Sequence, residues 1–227
     1  MSELVSYSLN GDIATITMDD GKVNALSPAM SVEVSAALDQ ADADGAVVVL
    51  TGRERTFSAG FDLRVPPEDW PAMLTDGAHL AEKLLSFPQP VVAACNGNAI
   101  AMGALLLLAV DERVGSSQGS IGLNEVAIGM TLPWFGIALA RHRLTAAAFD
   151  RCTVTGPLLD PAAAAQAGFL DSVVSPEAVA GAAAESAARL AGLNRDAHAA
   201  TKLRVRGRVL EELRGGIDRL SGPLDQL

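Results

Sequence analysis

The chain has 227 residues, a formal net charge of −10, 49% hydrophobic residues and only 19% charged ones. That length can bury the core of one large domain, and a mean hydropathy of +0.27 points to a large core, a subunit interface or both. The acidic balance excludes the cationic footprint that nucleic-acid binding needs, and no apolar run reaches the ~20 residues of a membrane-spanning helix.

The opening MSELVSYSLNGD lacks the basic and apolar regions of a secretory leader, so the expectation is a cytoplasmic chain with neither membrane nor nucleic acid as partner. Cys95 and Cys152 each sit among apolar residues, where a buried free thiol is the ordinary outcome. His79, His142 and His198 stand apart from one another and from both cysteines, so no metal-ligand spacing is present.

Residues 4–9 and 13–18 alternate apolar and polar around Asn10-Gly11-Asp12, which predicts a half-buried hairpin. Ser27-Pro28 reads as a helix N-cap followed by proline at the first helical position. The helix predicted from there to about Asp42 buries Met30, Val34, Ala37, Leu38 and Ala41. Residues 46–51, AVVVLT, form a continuous apolar run that suits a central parallel strand. Strand and helix in alternation predict βαβ units with right-handed crossovers.

Residues 52–63 make an informative turn, because Ser58-Ala59-Gly60 places three small residues where a ligand can approach the backbone. Arg53, Arg55 and Arg64 cluster around the same loop and could meet an anionic ligand. Residues 63–74, with Pro66, Pro67 and Pro71, read as a loop, and residues 78–87 as a helix stopped by Pro88.

Residues 91–113 organise the rest. Val91 to Cys95 reads as a strand buried on both faces, Asn96-Gly97 as a turn, and the apolar block through Val110 as a buried helix. Its first N–H groups, near Met102 and Gly103, lack helical partners and carry the positive dipole end. They either hold a developing negative charge or simply cap a core helix. Residues 111–115 read as a short strand and residues 119–122 as a bend. Glu125, the only acid between Glu112 and Asp150, is either a salt-bridged structural acid or a working base.

Helices are predicted over 133–143, 146–154 and 161–168, a short strand over 169–175, and two long helices over 177–193 and 195–214. Lys202, Arg204, Arg206 and Arg208 in the last helix read as a solvated surface.

Together these segments resemble the crotonase superfamily, that is, the enoyl-CoA hydratase/isomerase family, and within it short mycobacterial-type chains. The resemblance runs through Asn24-Ala25-Leu26-Ser27, Thr56 to Leu63, Asn96-Gly97 through Asp111, Ile121-Gly122-Leu123-Asn124-Glu125 and Gly168-Phe169-Leu170-Asp171. It implies an α/β spiral of ββα units over residues 1–190 and a C-terminal helical, oligomerising segment over 191–227. It further implies a homotrimer or hexamer, no separate cofactor or metal, and an acyl-CoA or enoyl-CoA thioester as substrate. The thioester oxygen would accept backbone N–H bonds from Ala59 and Met102, Met102 standing where the family usually has glycine. The substrate path would draw on Lys22, Val23, Ala25, Phe61, Asp62, Leu63, Ala101, Gly103, Leu105 and Asn124, and Lys22, Arg53, Arg55 and Arg64 are candidates for the coenzyme A phosphates.

The acids depart from the hydratase pattern. Where hydratases of the family carry their first glutamate this chain has Leu105, and only the second is matched, by Glu125. Its apolar setting should raise its pKa into the range of a neutral-pH base. The resemblance thus implies a Δ3-Δ2-enoyl-CoA isomerase with one glutamate. The alternatives are a hydratase using Glu125 with a second acid from elsewhere, Asp20 or Asp62, and a non-catalytic acyl-CoA-binding protein.

Overall fold

The structure is a computed structural model that describes residues 4–220. The alternating hairpin forms as predicted: β1 (Val5–Asn10) pairs antiparallel with β2 (Ile13–Met18), and Gly11 takes the positive φ of the turn. After β3 (Ala25–Leu26), the Ser27 hydroxyl accepts the Met30 N–H and caps α1 (Pro28–Ala43), whose buried face holds the five apolar residues predicted for it. Next come β4 (Val47–Thr51), β5 (Arg55–Ser58), β6 (Gly60–Phe61) and α2 (Trp70–Ser86).

The chain continues with β7 (Val91–Cys95), β8 (Gly97–Ile100), α3 (Met102–Ala109), β9 (Glu112–Ser116), β10 (Ile121–Gly122) and α4 (Trp134–Arg143). It ends with α5 (Ala146–Val154), α6 (Pro161–Ala167), β11 (Ser172–Val174), α7 (Val179–Ala191) and α8 (Arg195–Arg219).

One sheet runs β1-β2-β4-β7-β9-β11, parallel apart from the opening hairpin, and a second runs β10-β8-β5. Three central strands are each followed by one or more short strands outside the main sheet and then by a helix: β4-β5-β6-α2, β7-β8-α3, β9-β10-α4. This repeat is the ββα spiral. It stacks the turns before α2 and α3 beside each other.

Several local readings are corrected. Asn96 does not open a tight turn into a helix; β8 intervenes, pairing with β5 and β10. The helix predicted from residue 78 starts at Trp70 with Pro71 in its first turn, so the proline read as a loop marker is a helix starter. Helix α8 is unbroken through Gly215-Gly216, because a Cβ at Gly216 would lie 2.7 Å from the Phe135 nitrogen and the glycine lets α8 press onto α4. The basic stretch of α8 is not a uniform solvated surface either. Lys202 and Arg206 are buried and grip the two oxygens of Asp111 at 2.7 and 2.8 Å. Lys202 also donates to the Phe87 and Gln89 carbonyls and Arg206 to those of Leu85 and Val110, so the two cations cap the C-terminal ends of α2 and α3. Burial lowers Lys202 to about 8 even though Asp111 pulls the other way.

Candidate active site

A cavity of about 630 Å³ lies between the end of β6, the start of α2, the turn before α3 and the segment after β10. Its walls are Ala59, Phe61, Leu63, Pro67, Trp70, Leu74, Ile100, Ala101, Leu105, Ile128, Met130, Pro133 and Leu220, with Asn124, Glu125 and Thr131 as polar members. The first, distant turn of the sequence and the central one thus meet on one cleft. Of the residues the resemblance implied, Ala59, Phe61, Leu63, Ala101, Leu105, Asn124 and Glu125 share its walls. Lys22, Val23, Ala25, Asp62, Met102 and Gly103 do not. Trp70, Leu74, Met130 and Leu220 were missed, although Trp70 and Leu74 stand one helical turn apart, a signal masked by the prolines before them.

Asn24 fastens the first turn. Its side chain accepts the Asp20 N–H and donates to the carbonyls of Met18 and Phe57, while its own carbonyl accepts the Ser58 hydroxyl at 2.7 Å. The Ala59 N–H is already engaged, donating to the Val23 carbonyl at 3.0 Å. This corrects the role the resemblance implied for Ala59: a donor committed to the backbone is not open to a ligand. The Asp62 N–H donates to Leu26 at 3.2 Å and so faces β3. Because successive N–H groups of a strand point to opposite edges, the Phe61 N–H faces away from β3, on the edge that no strand covers.

Across from it, Ala101 adopts φ 51°, ψ −120°, an unusual conformation for a residue with a side chain. That twist starts α3, whose first backbone bond is Leu105 N–H to the Ala101 carbonyl at 3.0 Å. The Met102 N–H precedes this bond and has no helical partner. The two turns are in contact: a Cβ on Gly60 would fall 2.9 Å from the Ile100 oxygen and 3.2 Å from the Met102 nitrogen. The Phe61 and Met102 N–H groups thus belong to two turns in contact, Met102 at the positive end of α3. Met102 fills its position by turning its side chain into the core, where it is wholly buried.

Glu125 is 8% exposed, and its Oε2 has no hydrogen-bond partner. Loss of solvent pushes its carboxyl up to about 7, only partly opposed by its own N–H. It forms no salt bridge among the described residues, so the reading as a paired structural acid fails. Leu105, 1% exposed, occupies the wall where a second acid would stand. The other candidate acids are committed elsewhere. Asp20 accepts the N–H groups of Lys22, Asn24 and Ala25, and Asp62 pairs with Arg64 at 2.8 Å. Among the cations proposed for the phosphates, Arg53 pairs with Asp19 and Arg64 with Asp62, whereas Lys22 is exposed and unpaired among the described residues. The described residues contain no cluster of His, Cys, Asp or Glu able to hold a metal.

The ββα spiral, with a donor-lined turn over an apolar cleft, defines the crotonase fold class. The chain belongs to the enoyl-CoA hydratase/isomerase family, whose model matches residues 8–217, and it is an acyl-CoA-metabolising enzyme of that family. It is similar to an enoyl-CoA isomerase from Mycobacterium tuberculosis solved in the apo state, with 48% identity, a TM-score of 0.95 and coverage of 97% of this chain and 99% of the other. Human mitochondrial Δ3-Δ2-enoyl-CoA isomerase is 25% identical with a TM-score of 0.88, covering 98% and 94% of the two chains. A putative enoyl-CoA hydratase of Thermus thermophilus is 34% identical over 73% of this chain and 69% of its own length.

Proposed function

We propose that the protein is a Δ3-Δ2-enoyl-CoA isomerase. The observation that carries this reading is the Glu125 carboxyl, unpaired and the single acid of the cavity walls among the described residues, with Leu105 in the place of a second acid. Ionised Glu125 takes a proton from C2 of a 3-enoyl thioester. The electron pair left behind spreads onto the thioester oxygen, where the Phe61 and Met102 N–H groups stabilise it in a water-poor cleft; one such donor is typically worth on the order of 3 kcal/mol. The protonated carboxyl then returns the proton to C4, the double bond settles between C2 and C3, and Glu125 is ionised again. No water enters the product. Hydration normally requires a second acid to hold and activate a water over the double bond, and Leu105 is not one.

The test runs a 3-enoyl-CoA and a trans-2-enoyl-CoA side by side. Isomerisation of the first creates the conjugated thioester, visible in the ultraviolet, without a change of mass. If the second substrate instead gains one water at a comparable rate, the single-base reading is wrong. The reading extends to a homo-oligomer, a trimer or hexamer, supported by the exposed Leu63 and Ile128 at the cavity rim. A monomer mass in light scattering at micromolar concentration would overturn that part.

A further inference from the structure

An enolate cradle built from two separate elements works only if their spacing is fixed. The Phe61 N–H belongs to β6 and the Met102 N–H to α3. The side chains of these two residues converge on one point of a third element. A Cβ on Gly77 of α2 would lie 2.4 and 2.6 Å from the Phe61 ring atoms Cε1 and Cζ, and 3.5 Å from the Met102 Cε.

Gly77 is buried inside α2, where glycine is disfavoured relative to alanine. Its φ is not among the positive ones, so the backbone does not demand a glycine there. What demands it is the ring. Trp70 and Leu74, on the same face of α2, line the cavity, and Gly77 continues that stripe beneath it.

We propose that Gly77 is a positioning residue: its notch seats the Phe61 ring beside the Met102 side chain and thereby sets the distance between the two N–H donors. This deepens the isomerase reading and rests on it. A methyl group at this position would force the ring outward by about 1 Å to recover ordinary contact. β6 is anchored by Ala59 N–H to Val23 on one side and Asp62 N–H to Leu26 on the other, and the Phe61 N–H between them faces the uncovered edge, so the strand can give only at that peptide. The displacement therefore reaches the Phe61 peptide. Misplacement on this scale in a catalytic array costs up to ~100-fold in rate.

The test compares the unmodified enzyme, Gly77→Ala, Phe61→Leu, Gly77→Ala with Phe61→Leu, and Gly207→Ala. Gly207 has open space around its Cα and serves as the helical-glycine control. The measurements are kcat, the Kd of a saturated acyl-CoA, and the ultraviolet absorbance of bound acetoacetyl-CoA, which reports its enolate. Expected for Gly77→Ala is a fall in kcat of roughly 10- to 100-fold with a matching loss of enolate signal and nearly unchanged saturated acyl-CoA affinity. Phe61→Leu alone is the reference for the double variant, and adding Gly77→Ala to it should cost little of either, while Gly207→Ala should leave both alone.

Unaltered kcat and enolate signal in Gly77→Ala would overturn the proposal. So would an equally large loss when Gly77→Ala is added to Phe61→Leu. If Gly77→Ala alone does not fold, Phe61→Leu is compared with and without it, and a renewed loss in that background counts against the proposal. If the unmodified enzyme does not enolise acetoacetyl-CoA at all, it is the cradle itself that fails, and the positioning role falls with it.

Discussion

Replacing Glu125 with glutamine removes the only ionisable group that the described residues place in the cavity walls while keeping its shape. The carboxyl titrates near 7 in the folded protein against an ordinary 4.5, because burial penalises its charged form. The folded state therefore holds a proton that the unfolded chain has already released between those two values. A raised folded pKa gives stability that is complete below pH 4.5 and is lost as pH climbs to 7. Across the whole window the loss is roughly 3 kcal/mol, and between pH 5.5 and 8 it is about 2 kcal/mol. Glutamine does not ionise, so Glu125→Gln should gain about 2 kcal/mol relative to the parent on going from pH 5.5 to 8. Urea unfolding of both proteins at the two pH values measures this directly, since contributions common to both cancel. The same variant should lose turnover by on the order of 10³-fold while its affinity for a saturated acyl-CoA barely moves. A stability difference that stays flat with pH would refute the assignment of a desolvated carboxyl. Retained turnover would refute its role as the base.

The same titration sets the pH–rate profile: kcat/KM for a 3-enoyl-CoA should rise with pH to a plateau, with its half-point near 7, because the ionised form takes the first proton. Asp111→Ala leaves the buried Lys202 and Arg206 without their counter-ion, and a loss of about 3–5 kcal/mol in chemical denaturation is expected. Ala101→Gly relieves a positive φ and should raise stability by roughly 1 kcal/mol with turnover retained, opposite in sign to glycine in a regular element. Gly216→Ala puts a Cβ against the Phe135 backbone and should cost about 1–3 kcal/mol, read as a lower Tm.

Much of the fold was legible because its cause is local. The alternation in the opening hairpin, the Ser27-Pro28 cap and the unbroken run before Thr51 each specify backbone state through burial and capping within a few residues. The start of α2 was not legible, since Pro66, Pro67 and Pro71 carry the same local signal whether they end a loop or begin a helix. The roles of Lys202 and Arg206 were also hidden. A cation on a helix reads as solvated unless its acid is known, and Asp111 is far away in sequence.

The site divides in the same way. Sequence alone determined that position 125 is an acid and position 105 a leucine, because residue identity is all that statement needs. Its pairing, burial and raised pKa depended on which walls enclose it. Likewise the motif around Ser58-Ala59-Gly60 marked the right turn but not the right donor. Which N–H stays open is decided by which carbonyl lies opposite: Val23 takes that of Ala59, and the alternation of the strand beside Leu26 leaves that of Phe61 on the edge away from β3. A backbone hydrogen bond is written in no side chain, so only the folded arrangement of two distant strands could assign it.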